Sequence, residues 1–286
     1  MLPAPMSSTS RRLPADGVPY VRSVTAGGRT LRVAVRPGTD PSAPPPLLLM
    51  NGIGASLEVL EPFVDALDPR RTVIRFDVPG VGGSPRPVVP YNLATFSPVV
   101  ARALTMLGFD GPVDVLGLSW GGALAQHFAV QHRNRCRRLV LAATATGTLM
   151  VPADPRVLAR MLTPRRHRDP DYARSIAGDI YGGTMRTHPE RAAEVLHSAT
   201  RLGPRRGYYY QLAASTGWSS LPFLKLIRQP TLIVAGDDDP IVPIVNARIM
   251  ARFIRDGRLH IYSGGHIALI TEADELAPVI EKFLDD

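Results

Sequence analysis

The sequence of 286 residues contains a single cysteine, Cys136, so no disulfide can form within the chain. It also lacks an uninterrupted apolar run of the roughly 18 residues that a membrane-spanning helix requires, and its most apolar segments have the length of strands. The residues that follow Met1 lack the apolar core of a signal peptide. These absences predict a cytoplasmic protein without a transmembrane segment.

Lysine is nearly absent as well, since only Lys225 and Lys282 occur and arginine supplies almost all of the positive charge. The formal net charge is +8, and residues 147–228 hold 13 basic against 6 acidic residues. This basic segment lacks the interleaved aromatic residues of nucleic-acid modules, so we expect no nucleic-acid partner. An anionic surface, an acyl thioester carrier or a carboxylate product would be attracted to it.

The order of the predicted elements indicates one α/β domain with an insertion. Residues 1–18 are rich in serine and proline and are predicted to form a flexible tail. Over residues 19–146 and 229–286, short apolar strands alternate with helical patterns, which predicts a mostly parallel, twisted sheet with helices on both faces. Residues 147–228 show no strong strand. Because an insertion at this point would lie over the ligand-binding edge of the sheet, we predict that it forms a helical lid.

The strongest functional signal is the pentapeptide GLSWG at residues 117–121, between an apolar strand at 113–118 and a helix. The glycines two positions before and two positions after Ser119 permit the strained strand-to-helix turn that exposes a nucleophilic hydroxyl. A serine at neutral pH is a weak nucleophile, so it needs a general base and an acid that orients this base. Ser119 is therefore the candidate nucleophile.

Candidates for the base and the acid follow two later strands. Three consecutive aspartates, Asp237, Asp238 and Asp239, come after the strand 231–235, and His266 comes after the next strand. The carboxyl ends of parallel strands meet at one edge of a sheet, so these groups could converge on the serine. The pattern alone does not decide which of the three aspartates is the acid, although Asp237 also suits a turn.

The other histidines fit the role of base less well. Two lie on the helix behind the serine, three in the insertion and one within a strand: His127, His132, His167, His188, His197 and His260. No pair of histidines has the spacing of metal ligands. We therefore expect neither a metal ion nor a cofactor.

Hydrolysis of an ester also requires two donors for the oxyanion. One is expected to be the backbone N–H of Trp120, directly after the nucleophile. The glycine-rich turn NGIGAS at residues 51–56 supplies the other, and the position in the motif indicates the N–H of Ile53. The turn lacks the Gly-Lys-Ser ending of a nucleotide-binding loop, so we do not expect a phosphate site here.

Several segments together resemble one family within the α/β-hydrolase superfamily. They are NGIGAS, FDVPGVGGS, GLSWGGALAQ, LVLAATATG, GYYYQL, GWSS, QPTLIVAGDDDPIVP and GGHIALIT. From about residue 20 to residue 284 the sequence is similar to intracellular depolymerases of medium-chain-length poly(3-hydroxyalkanoate). The resemblance implies the α/β-hydrolase fold and favours Asp239 as the acid, with Asp238 as second choice. It also implies asparagine at position 51, where many other hydrolases have histidine.

The resemblance implies a serine ester hydrolase that acts on a hydrophobic polyester through an acyl-enzyme and releases 3-hydroxyalkanoic acids or oligomers. A storage-granule surface is the implied partner. Five aromatic residues could form an apolar slot for acyl chains or pack the core of the lid: Trp120, Tyr208, Tyr209, Tyr210 and Trp218. The alternatives are a general cytosolic carboxylesterase or thioesterase, an acyltransferase, and a non-catalytic protein that keeps the hydrolase fold.

Overall fold

A computed structural model describes residues 18–40, 43–197, 201 and 203–286, so the predicted tail lies almost entirely outside the described residues. Its centre is an eight-stranded sheet with the order β1-β2-β4-β3-β5-β6-β7-β8. The strands are β1 Tyr20–Ala26, β2 Arg29–Arg36, β3 Leu47–Met50, β4 Val73–Phe76, β5 Val113–Leu118, β6 Cys136–Ala142, β7 Thr231–Gly236 and β8 Gly257–Tyr262. β2 pairs antiparallel with β1 and β4, and the other neighbouring pairs are parallel. The predicted mostly parallel sheet is confirmed.

Ten α-helices surround or follow the strands in the described residues. They are α1 Glu61–Ala66, α2 Leu93–Met106, α3 Trp120–Gln131, α4 Pro155–Met161, α5 Pro170–Tyr181, α6 Glu190–His197, α7 Arg205–Ser215, α8 Val245–Phe253, α9 Ala268–Thr271 and α10 Ala273–Asp285. None of the helices in the described ranges is long and apolar enough to cross a membrane.

The alternation of side chains along β3 shows how the sheet is covered. All four of its residues are buried; Leu48 and Met50 join one apolar core, and Leu47 and Leu49 join the other. The first core contains buried residues of α2, α3 and α8, and the second contains those of α1, α9 and α10. Helices therefore pack on both faces, as a parallel sheet with apolar strands requires.

Residues 143–230 join β6 to β7, and α4 to α7 lie within the insertion that was predicted at residues 147–228. The helices α4 and α5 both begin with an aspartate N-cap. Asp154 accepts a hydrogen bond from the backbone N–H of Arg156, and Asp169 accepts one from that of Tyr172. Proline follows each of these aspartates at the first helical position, where its missing N–H costs nothing. The described part of the insertion thus forms a small helical layer beside the carboxyl ends of the strands.

Candidate active site

Ser119 occupies a strained turn between β5 and α3. Its backbone has φ 54° and ψ −116°, a conformation that residues with a side chain rarely adopt. The serine N–H donates to the carbonyl of Ala142 at 2.9 Å, and the serine carbonyl accepts from the hydroxyl of Thr144 at 2.7 Å. A Cβ at Gly121 would lie 2.0 Å from the carbonyl oxygen of Met50, so the tight packing of the turn requires glycine here.

The three residues favoured by the sequence form a continuous hydrogen-bonded chain. His266 Nε2 lies 3.0 Å from Ser119 Oγ, and His266 Nδ1 lies 2.8 Å from Asp239 Oδ2. The second carboxylate oxygen of Asp239 accepts from the N–H groups of Ile241 and Val242, both at 2.9 Å. The carboxylate is thereby held in place, and the imidazole is oriented toward the serine hydroxyl.

The neighbouring aspartates have other partners. Asp238 accepts two hydrogen bonds from the guanidinium of Arg186, at 2.6 and 2.7 Å, and one from the N–H of Gly183. Hydrogen bonding to Arg186 lowers the pKa of Asp238 below its usual value. Asp237 accepts from the N–H of Gly264 at 3.0 Å, which stabilises the turn after β8. Of the three, Asp239 is the one that contacts the imidazole of His266.

The two predicted oxyanion donors have N–H groups that are free to bind a ligand. In the described residues, neither the N–H of Ile53 nor that of Trp120 donates a hydrogen bond within the protein. The turn that carries Ile53 is held by Asn51, whose side chain donates to the carbonyl of Ser56 at 2.7 Å and accepts from the N–H of Gly52 at 2.8 Å. An asparagine at position 51 thus stabilises the turn, because its side chain both donates and accepts a hydrogen bond there.

Gln211, on α7 of the insertion, is a residue that the sequence analysis missed. Its side-chain oxygen accepts from the N–H of Gly54 at 2.7 Å, and its backbone carbonyl accepts from the indole N–H of Trp120 at 3.0 Å. The side chain is completely buried. Gln211 therefore contacts both elements that carry the candidate oxyanion donors. The only sequence signal was its place in GYYYQL, where the three tyrosines were more conspicuous.

A cavity of about 50 Å³ adjoins Ser119 and His266. Its walls are mainly apolar, with Ile53 and Val59 from the core domain and Met161 from the insertion, and it has room for only a few water molecules. The polar side chains that reach it include Arg166, His167 and Tyr181. None of these three was singled out as a site residue in the sequence.

None of the five aromatic residues that were predicted to bind substrate lines this cavity. Trp120 and Tyr208 are buried by packing and hydrogen bonds, and Tyr209 is largely exposed. Tyr210 is partly buried against the first apolar core, and Trp218 donates from its indole to His127 Nε2 at 2.6 Å. Trp218 thus attaches the insertion to α3, because large aromatic surfaces stabilise interfaces as readily as ligand sites.

In the part of the chain that the structure describes, no group of three or more histidine, cysteine, aspartate or glutamate residues could hold a metal ion. The groups that the structure brings together beside the cavity are the serine, the imidazole, the carboxylate and the two backbone donors. These are the groups of a nucleophilic acyl transfer.

Comparison with known proteins agrees with this geometry. A model of the α/β-hydrolase fold family matches residues 45–273. The poly(3-hydroxyalkanoate) depolymerase of Ectopseudomonas oleovorans is 50% identical over 267 residues, which cover 93% of each chain. A pimeloyl-[acyl-carrier protein] methyl ester esterase of Neisseria meningitidis is 25% identical, over 86% of this chain and 95% of the esterase.

Among solved structures, the enol-lactonase of Burkholderia xenovorans superposes with a TM-score of 0.77 at 23% identity. The superposition covers 93% of this chain and all of the lactonase, and it shows the common fold. The sheet order, the strained serine turn and the match over most of the length lead to one assignment: the chain belongs to the α/β-hydrolase family.

Proposed function

We propose that the protein is a serine ester hydrolase that depolymerises medium-chain-length poly(3-hydroxyalkanoate) to 3-hydroxyalkanoic acids or oligomers. The observation that carries this proposal is the unbroken chain of hydrogen bonds from Ser119 through His266 to Asp239 beside an apolar cavity. The 50% identity to a depolymerase supports the polyester as the substrate.

In the proposed reaction, Ser119 Oγ attacks the ester carbonyl while its proton passes to Nε2 of His266. Asp239 stabilises the imidazolium, and the N–H groups of Ile53 and Trp120 bind the oxyanion. His266 then protonates the leaving alcohol, which departs and leaves an acyl-enzyme. A water molecule, deprotonated by His266, hydrolyses this intermediate and restores the serine.

We place the enzyme in the cytoplasm, at the surface of the storage granule. The insertion presents exposed apolar side chains that suit a polyester surface, namely Leu149, Val151, Leu158 and Leu162. Leu158 and Leu162 are four residues apart, so they lie on one side of α4 and its end. The buried free thiol of Cys136 is compatible with a reducing compartment.

The test compares a latex of polyhydroxyoctanoate with soluble nitrophenyl octanoate as substrates for the full chain. The proposal predicts that the latex clears and that Ser119→Ala abolishes both activities while the circular dichroism spectrum stays unchanged. Turnover of the soluble ester without clearing of the latex would indicate a general carboxylesterase or thioesterase. Retained turnover in Ser119→Ala would contradict the assignment of the nucleophile.

A further inference from the structure

Arg166 is a buried cation that lines the candidate active-site cavity. Arg166 is 2% exposed, and its Nη1 atom donates a hydrogen bond to the hydroxyl of Tyr208 at 2.9 Å. No carboxylate of the described residues lies within 4 Å of its guanidinium, and its Nε atom has no hydrogen-bond partner there. Arginine is almost never fully buried without a partner, because an uncompensated charge loses its hydration. This cation therefore has capacity to bind an anion.

The surroundings fix Arg166 without neutralising it. Its guanidinium lies 5.4 Å from the centre of the Tyr208 ring, and the hydroxyl of Tyr208 bonds to the carbonyl of Met161. These contacts hold the Arg166 side chain in one orientation. The ring and the hydroxyl of Tyr208 are electrically neutral, so they leave the guanidinium charge in place. A fixed guanidinium is well suited to a carboxylate, which it binds through charge-assisted hydrogen bonds.

Two neutral polar side chains share the cavity with Arg166. Burial raises the pKa of Tyr181, against the opposing effect of the nearby Arg166 charge, so its hydroxyl keeps its proton. Burial and then the charge of Arg166 hold the pKa of His167 well below its usual value. Neither ring nitrogen of His167 has a hydrogen-bond partner among the described residues. Both side chains can therefore hydrogen-bond a ligand without competing for its negative charge.

We propose that Arg166, assisted by Tyr181, binds the free carboxylate at the end of a 3-hydroxyalkanoate chain, so that the enzyme removes units from the carboxyl terminus. The inference rests on the proposed polyester function and identifies which ester bond is cleaved. In such a chain the terminal carboxylate is only a few bonds from the oxygen of the last ester linkage. The small cavity, lined by both Ser119 and Arg166, fits this short separation.

In this scheme the terminal unit is the leaving group. Ser119 Oγ forms a bond to the acyl carbon of the penultimate unit, and the bond between that carbon and the ester oxygen breaks. His266 transfers the proton taken from Ser119 to the released oxygen, so a 3-hydroxyalkanoate leaves with its carboxylate at Arg166. Hydrolysis of the acyl-enzyme by water then yields a chain that is one unit shorter and has a new carboxyl end.

The first test uses the unaltered full chain and two probes, the linear dimer of 3-hydroxyoctanoate and the methyl ester of its free carboxyl group. We expect kcat/KM to be about tenfold or more higher for the acid dimer, the ratio expected from one charge-assisted hydrogen-bonded pair. Equal values, or a preference for the methyl ester dimer, would overturn the carboxylate site. Failure to cleave either dimer would instead contradict the polyester function.

The second test measures the same ratio of kcat/KM in Arg166→Gln and in Arg165→Gln. Arg165 is the matched control, because it loses the same charge from the adjacent position but is mostly exposed and pairs with Asp169. We expect the ratio to fall close to one in Arg166→Gln and to stay unchanged in Arg165→Gln. The ratio cancels any general loss of active protein. A ratio that persists in Arg166→Gln would refute the proposal.

A third measurement is independent of whether the variant folds. Product inhibition of nitrophenyl octanoate hydrolysis is compared for 3-hydroxyoctanoate and methyl 3-hydroxyoctanoate with the unaltered protein. We expect the acid to inhibit competitively and about tenfold more strongly than its methyl ester. Stronger inhibition by the methyl ester would show that the cavity selects apolar groups alone, and would overturn the inference.

Discussion

The side-chain oxygen of Gln211 accepts a hydrogen bond from the N–H of Gly54 at 2.7 Å. A residue of the insertion therefore holds the turn of the core domain that carries Ile53, one of the two candidate oxyanion donors. Since the carbonyl of the same glutamine also accepts from the indole of Trp120, the position of α7 and the shape of the candidate site are coupled.

Replacement of Gln211 by alanine should lower kcat more than it changes KM. The substitution leaves the N–H of Gly54 without its acceptor and loosens the turn, and loss of one oxyanion donor costs about 3 kcal/mol of transition-state stabilisation. We expect a loss of about tenfold or more in kcat for nitrophenyl octanoate. Gln131→Ala is the control, because that exposed side chain donates to the carbonyl of Ala94, away from the candidate site. Equal kinetics of the two variants would contradict this role.

Substitution of the aspartates should distinguish the acid from its neighbour. Asp239→Asn removes the charge that stabilises the imidazolium, so kcat should fall on the order of 10⁴-fold. Asp238→Asn should affect kcat little and stability by under about 1 kcal/mol, since its pair with Arg186 is partly exposed. Steady-state kinetics and urea unfolding of both variants provide the measurement. A larger kinetic loss in Asp238→Asn would reverse the assignment.

Two glycine substitutions should have opposite effects on stability. Gly121→Ala places a Cβ 2.0 Å from the backbone oxygen of Met50, and we expect a loss of about 3 kcal/mol or more in the free energy of unfolding. At Gly111 no atom lies within 4 Å of an added Cβ, so Gly111→Ala should be neutral or stabilise by up to about 1 kcal/mol. Denaturant unfolding checks both. Comparable stability of the two variants would show that the serine turn tolerates expansion.

The buried His167 should make stability depend on pH. Its pKa in the folded protein lies well below the ordinary value of 6.5, so below about pH 6.5 the unfolded chain binds a proton that the folded protein does not. The free energy of unfolding should therefore fall as the pH decreases through this range, by at most about 1.4 kcal/mol per pH unit for one group. Burial lowers the pKa of His127 and His132 too, and both act in the same direction.

The variant His167→Gln should accordingly show a shallower decrease in stability between about pH 7.5 and pH 5 than the unaltered protein. Urea unfolding at a series of pH values measures this slope. An identical slope in both proteins would mean that His167 becomes protonated without unfolding of its surroundings.

The exposed Leu158 of α4 and Leu162, directly after this helix, should contribute to attachment on the polyester. In the double variant Leu158→Gln with Leu162→Gln, we expect clearing of polyhydroxyoctanoate latex to fall several-fold more than hydrolysis of nitrophenyl octanoate, since apolar contact area is lost. Co-sedimentation with latex particles measures binding directly. Parallel losses in both assays would argue against this surface.

Local patterns in the sequence were sufficient to predict the sheet, Ser119 and His266. The signals were an apolar strand before GLSWG and polar residues directly after two later strands. Asp239 was favoured over Asp238 by resemblance, and the structure adds the physical reason, since Arg186 and the N–H of Gly183 bind Asp238. These tertiary contacts hold Asp238 away from His266, and Asp239 is the aspartate that bonds to the imidazole.

The contacts of the insertion could not be predicted from local patterns. Whether Tyr208 faces a ligand or bonds to Arg166 depends on how α7 packs against the segment after α4, and composition is the same in both cases. Gln211 follows three tyrosines and Arg166 stands in a basic stretch, and either polar side chain would suit a surface equally well. Their burial results from long-range packing, which a single sequence does not specify residue by residue.

The small size of the cavity beside Ser119 limits the acyl chain that the site can hold as it stands. An alkyl chain of medium length exceeds the space of a few water molecules, so a bound chain either extends out of the cavity or displaces the wall that the insertion supplies with Met161, His167 and Tyr181. The preferred acyl-chain length would then depend on how far this wall can move.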